Sequence, residues 1–138
     1  MSRRHATVVL DTDVSSLAHK GKLTGSLATR LIGRIPVITF VTLGELTQWA
    51  EIRDWGGPRR QELADWLSVI PVLPADEAVA ATWGRLSAAG RKAGLPQPVN
   101  DMWIAACCLT HDLPLATLNL KDYAYFKDHH RLRILGEQ

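Results

Sequence analysis

The stretch Thr7-Val8-Val9-Leu10-Asp11-Thr12-Asp13-Val14 is a β-branched apolar run that stops abruptly at an acid. Four apolar residues are too few for a helix, and without polar alternation they predict a strand buried on both faces. Val37 to Val41, after Pro36, predicts a second such strand, and shorter ones are expected at Val69 to Leu73, Leu113 to Thr117 and Arg131 to Leu135. Helical stripes lie between them. Thr42 can cap a helix carrying Leu43, Leu46, Trp49 and Ala50; Leu63, Trp66, Leu67 and Ile70 make a second stripe; Val79, Trp83, Leu86 and Ala89 make a third from Asp76. Asn100 can cap a fourth, whose Ile104, Ala105, Cys107, Cys108 and Leu109 leave little polar surface and predict a central helix. Strands alternating with helices predict an α/β fold with a parallel sheet covered on both faces. Ligands then bind at the carboxyl ends of the strands.

Composition agrees with this. The 138 residues are 46% apolar and 22% charged, close to the averages for soluble globular chains and one domain by length. Apolar runs such as Trp103 to Leu109 fall far short of the roughly 18 residues of a membrane span. The basic start, Met1-Ser2-Arg3-Arg4-His5, precedes an apolar stretch too short for a signal sequence, so export is not expected. Adjacent Cys107 and Cys108 in an Ala-rich segment predict reduced, buried thiols and a cytoplasmic protein. Residues 1 to 34 carry six Lys or Arg against two acids, the remainder ten against twelve. A basic N-terminal excess can neutralise phosphates.

Four acids are placed to share a cleft. Asp11 ends the first strand, Glu45 follows the second by one helical turn, Asp101 opens the central helix, and Asp122 follows the fourth strand. Each has a local use as well: Thr42-Leu43-Gly44-Glu45 fits a capping box, Asp101 suits a helix N-terminus, and Asp122 suits a turn. Only Asp11 lies where an acid would sit against a sheet. Together, carboxylates in one low-dielectric cleft raise one another's pKa and call for a cation. With no His or Cys in the set, all-oxygen ligation suits Mg2+ or Mn2+, and metal-assisted phosphodiester hydrolysis is the chemistry that follows.

At Val8-Val9-Leu10-Asp11-Thr12, Thr42-Leu43-Gly44-Glu45-Leu46, Asn100-Asp101-Met102-Trp103-Ile104-Ala105-Ala106 and Thr117-Leu118-Asn119-Leu120-Lys121-Asp122-Tyr123 the chain resembles the PIN-domain ribonucleases, and in size the VapC-type toxins of bacterial toxin–antitoxin pairs. The resemblance spans nearly the whole chain and implies a single PIN domain over residues 1–138, a three-layer α/β/α fold with a central parallel sheet. It implies an acidic quartet on Asp11, Glu45, Asp101 and Asp122 that holds Mg2+ or Mn2+ for cleavage of RNA. Thr12, Thr117 and Asn119 would support the site. A homodimer and inhibition by a cognate VapB-type antitoxin are further implications. Tyr123 stands where the family usually has Phe, and Asn119 at a position that is Asp in some members. Asp13 is an additional acid that either joins the metal site or caps the helix before Val14, and Thr12 and Ser15 either bond a metal water or cap the same turn.

Other residues have simpler uses. Arg30, Arg34, Arg59 and Arg60 can contact an RNA backbone or merely solvate helix faces. His5, His19, His111 and His129-His130 make no catalytic set and are expected at the surface, and the five tryptophans are expected in the core or at a dimer interface. Two rivals share the early acids. A haloacid-dehalogenase-like phosphatase would use Asp11 as nucleophile and Asp13 as acid, but it needs a late acidic pair that is missing after residue 101. A receiver-like module would need an Asp after the strand near residues 69 to 75, where none occurs. A silent RNA-binding module of the same fold would not need all four acids.

Overall fold

The computed structural model describes residues 6–136. In chain order the elements are β1 (Thr7–Leu10), α1 (Thr12–His19), α2 (Gly25–Arg30), β2 (Ile35–Thr39), α3 (Phe40–Ile52), α4 (Gly57–Val69), β3 (Val72–Leu73), α5 (Glu77–Lys92), α6 (Val99–His111), β4 (Leu115–Ala116), α7 (Leu120–His130) and β5 (Ile134–Leu135). The strands form one parallel sheet in the order β3-β2-β1-β4-β5. The apolar opening strand, β1, is therefore central, and the chain reverses its direction of travel across the sheet between β1 and β4.

The period-2 geometry of the strands divides the core into two layers. Val9, Val37 and Leu115 point to one face, where Val79 and Leu86 of α5, Ile104 to Cys108 of α6 and Phe126 of α7 cover them. Val8, Leu10, Ile38 and Ala116 point to the other, against Val14 of α1, Leu27 of α2 and the half-buried Trp66 and Leu67 of α4. The expected three layers are present, and α6 is the most deeply buried helix, with residues 104–108 almost fully enclosed. Cys107 and Cys108 are free and buried in it, and burial pushes the Cys107 thiol up to about 12, which keeps it inert.

Several boundaries differ from the sequence expectation. The second strand ends at Thr39, whose buried hydroxyl accepts the Thr42 N–H at 3.3 Å and caps α3. Thr42 is thus inside the helix, and Glu45 belongs to its second turn. The third strand, expected over Val69 to Leu73, is only Val72–Leu73 at the sheet edge, because Val69 ends α4. Pro98, not Asn100, precedes the first residue of α6. Helices α2 and α7 form where the apolar pattern marks no helix. His129 and His130 lie in the last turn of α7, and His19 is buried between Trp55 and Trp66 at centroid distances of 5.9 and 6.0 Å. Arg3, Arg4 and His5 lie outside the described residues.

Phe126 is fully buried at the foot of α7, in edge contact with Tyr125 at 5.5 Å. Phe126→Ala is expected to lower stability by about 3–5 kcal/mol through forfeited transfer energy and the cavity left behind. Urea denaturation followed by circular dichroism checks this: a falling midpoint with an unchanged slope is the expected result.

Candidate functional site

The carboxyl ends of β1 and β4 flank the reversal point, and the site is built there. Asp11 follows β1 directly and caps α1: its Oδ1 accepts the Val14 N–H at 2.8 Å, and its Oδ2 accepts the Thr117 hydroxyl. Asp11 rather than Asp13 is therefore the helix cap. Thr117 follows β4, and its hydroxyl also accepts the Asn119 N–H at 2.9 Å. One threonine thus links the central strand's acid to the turn that leads into α7.

The second wall comes from α3. Thr12 donates to Glu45 Oε1 at 2.7 Å, and its Oγ1 lies 3.0 Å from that of Thr42. A hydroxyl has one proton to give, so Thr42 must donate to Thr12 while Thr12 donates to Glu45. This chain of two hydroxyls fixes the Glu45 carboxylate, which is not spent on a capping box. Asp13 instead accepts the Asn119 side-chain amide. From α6 comes Asp101, which accepts the Tyr123 hydroxyl at 3.4 Å.

Asp11, Glu45, Asp101 and Asp122 line one pocket of about 100 Å³, together with Thr12, Asp13, Trp49, Ile104, Asn119 and Tyr123. Thr117 stands behind it, bonded to Asp11. Of the four arginines that sequence suggests for nucleic acid, Arg60 is bound to the Trp55 and Ala50 carbonyls. Arg30 donates to the Gly136 carbonyl at 2.6 Å, Arg34 donates to the Arg30 carbonyl at 3.2 Å, and Arg59 stacks on Trp55. Sequence alone does not mark Trp49 and Tyr123 as pocket residues. The available signal is the spacing, since Trp49 lies one helical turn past Glu45 and Tyr123 directly follows Asp122.

The electrostatics follow from burial. Asp11 is only 3% exposed; desolvation pushes its carboxyl up to about 6, against the Thr117 and Val14 hydrogen bonds that favour the charge, and the Asp13 and Asp101 charges add to the rise. Burial and then the Asp122 charge raise Asp101 as well. Burial and the neighbouring acids also raise the Tyr123 hydroxyl, so it stays a donor.

Among the described residues no three His, Cys, Asp or Glu side chains form a ready metal cage. The pocket offers carboxylate oxygens that repel one another and range from the buried Asp11 to the exposed Asp122. Such a donor set fits a hard divalent cation that keeps part of its water shell, and it does not fit zinc.

The chain is similar to known proteins over most of its length. The PIN domain profile matches residues 8–126. The sequence is 34% identical over 119 residues to Ribonuclease VapC5 of Mycobacterium tuberculosis, covering 85% of this chain and 86% of that protein. The crystal structure of VapBC-5, a member of the VapBC family of toxin–antitoxin systems from the same organism, matches with a TM-score of 0.70 and 30% identity over 95% of this chain and 98% of that one. VapBC2 from Rickettsia felis, solved with a promoter DNA fragment, matches in fold with a TM-score of 0.80 at 18% identity, over 96% and 99% of the two chains.

Two outcomes are expected. Thr117→Val keeps the shape but removes the donor that favours the Asp11 carboxylate, so the Asp11 titration should move above about 6; carboxyl-carbon NMR checks the direction. Asp11 is raised by folding from its ordinary 3.8, so its protonated form contributes stability that is fully present below about pH 4 and disappears as pH rises through about 6. Metal-free protein should therefore fall in melting temperature over that window, and Asp11→Asn should flatten the fall.

Proposed function

As this chain belongs to the PIN-domain family, we propose that the whole of residues 1–138 acts as one PIN domain, an endoribonuclease that hydrolyses RNA phosphodiester bonds. Nucleases of this family are metal-dependent, and Mg2+ or Mn2+ is the ion we assign to this chain. The observation that carries the reading is the meeting of Asp11, Glu45, Asp101 and Asp122 in one pocket at the reversal point of the sheet.

Asp11, Glu45, Asp101 and Asp122 would hold the ion, with Asp11 the most buried and Asp122 the most exposed. When bound, the ion supplies charge compensation at the phosphoryl group and a more acidic water. The chain's own groups do the positioning. Thr117 and the Val14 N–H clamp both Asp11 oxygens, Thr12 clamps Glu45, and Tyr123 points its hydroxyl at Asp101. Asn119 holds Asp13, which keeps that extra acid at the rim of the pocket.

The phosphatase alternative would need Asp13 as general acid, and that carboxylate is held by the Asn119 amide. Relatives occur in VapBC toxin–antitoxin systems, and on that ground we propose a toxin role with a VapB-type antitoxin as partner and a homodimer as the working form. Among the described residues no helix is long and apolar enough to cross a membrane, and the adjacent free thiols suit a reducing cytoplasm.

Purified protein incubated with total RNA and Mg2+ or Mn2+ tests the reading. Cleavage is expected to vanish with EDTA and in Asp101→Asn. Thr12→Val, which releases Glu45 without removing an acid, should cost about 10- to 100-fold in rate, as removal of a group that orients a metal ligand does. Folded variants that cut at the parent rate would refute the assigned site.

A further inference from the structure

The acidic pocket continues into a row of cations. Trp49 lines it, and Arg53, the C-cap of α3, holds its guanidinium 5.1 Å from the Trp49 ring centroid. Positions 45, 49 and 53 fall on one i, i+4, i+8 stripe, about 12 Å from first to last along the helix. Beyond it, Arg59 and Lys20 sit over Trp55 at 4.3 and 5.6 Å. Arg53, Arg59 and Lys22 are exposed.

These cations share one neighbourhood. Burial, then the charges of Arg59, Arg53 and Lys22, push the Lys20 ammonium below its usual range, and Glu62 opposes this as the weakest of the contributors. The nearby acids are otherwise committed: Glu51 and Asp54 pair with Arg60 at 2.7 and 3.6 Å. Arg60 also donates to the Trp55 and Ala50 carbonyls, so it braces the turn between α3 and α4 and is not available to a ligand. Lys20, Lys22, Arg53, Arg59 and Arg60 outnumber Glu51, Asp54 and Glu62 here, and the excess positive charge creates a potential that an anion relieves.

We propose that Lys20, Arg53 and Arg59 form a phosphate track along which the backbone of single-stranded RNA runs past Trp49 into the acidic pocket, an inference that rests on the ribonuclease reading above. The pocket itself repels phosphate, so attraction must come from beside it. Stacking on an indole holds each guanidinium in place by cation–π attraction and leaves its N–H edge to meet phosphate oxygens. The side chains then give up less entropy on binding. Sequence suggests the same part for Arg59, and also for Arg30 and Arg34, each of which donates one hydrogen bond to a backbone carbonyl.

The test is a fluorescence-anisotropy titration of a short labelled single-stranded RNA over a salt series, using the full chain with Asp101→Asn to prevent cleavage. Adding Lys20→Gln, Arg53→Gln and Arg59→Gln together should weaken binding at least about tenfold at low salt. It should also make the slope of log affinity against log salt shallower by about 2, at roughly 0.7 for each phosphate that the protein no longer neutralises. Removing three exposed cations of α5 instead, by Arg85→Gln, Arg91→Gln and Lys92→Gln, should leave the slope unchanged. Arg53→Lys with Arg59→Lys should retain it, which separates charge removal from misfolding. An unchanged slope in the track variant, or an equal weakening in the α5 control, overturns the track. RNA binding that persists while affinity for an acidic protein partner falls overturns it too, and assigns the surface to that partner. If the unmodified protein still cuts RNA in those cases, only the track fails; if it never cuts or binds RNA, the ribonuclease reading falls with it.

Discussion

The hydrogen bond from the Thr117 hydroxyl to Asp11 joins the ends of β1 and β4 where the strand order reverses. A carboxyl almost fully removed from water is tolerated there because both its oxygens have partners, the second being the Val14 N–H that opens α1. The same side chain therefore caps a helix, closes the gap between two strands and faces the pocket. Its position is set by the buried central strand of the sheet, and the acids from α3, α6 and α7 converge beside it.

That convergence has an energetic cost which the fold does not remove. Hydrogen bonds favour the charged Asp11, yet burial outweighs them and neighbouring acids push the same way. Asp101 is raised for like reasons. The chain places neutral donors, Thr12, Thr117, Asn119 and Tyr123, around these carboxylates and no lysine or arginine among the pocket's lining residues. A cationic side chain there would quench the negative potential and occupy the space of a bound ion. Positive charge lies instead at the far end of the α3 stripe, one indole away, so the negative and positive potentials are kept apart in space.

The parts of this arrangement that sequence displays are those governed by local pattern. Val8-Val9-Leu10 before Asp11 has no other sensible use than a doubly buried strand ending in an acid, and the apolar run of Ile104 to Cys108 marks the buried helix. What escapes depends on partners distant in sequence. Helix α7 buries only Tyr123 and Phe126, too thin a stripe to distinguish from a polar loop. The start of α3 is hidden because Val37 to Val41 is β-branched or apolar throughout, and only the Thr39 hydroxyl, turned onto the Thr42 N–H, decides where strand becomes helix. Thr12 has the local pattern of a capping residue, whereas its reach to Glu45 spans 33 positions. His19 and the cation row around Trp55 are products of the packing of α1 against α4, which no window of sequence contains.

We propose that these carboxylates form a divalent-cation site. Anomalous diffraction from crystals soaked in Mn2+ tests it most directly. A peak between the Asp11 and Asp101 side chains, inside the pocket at the ends of β1 and β4, is the result this account predicts. Well-ordered side chains with no peak there at saturating Mn2+, or a peak only at a surface site remote from Asp11, would contradict it.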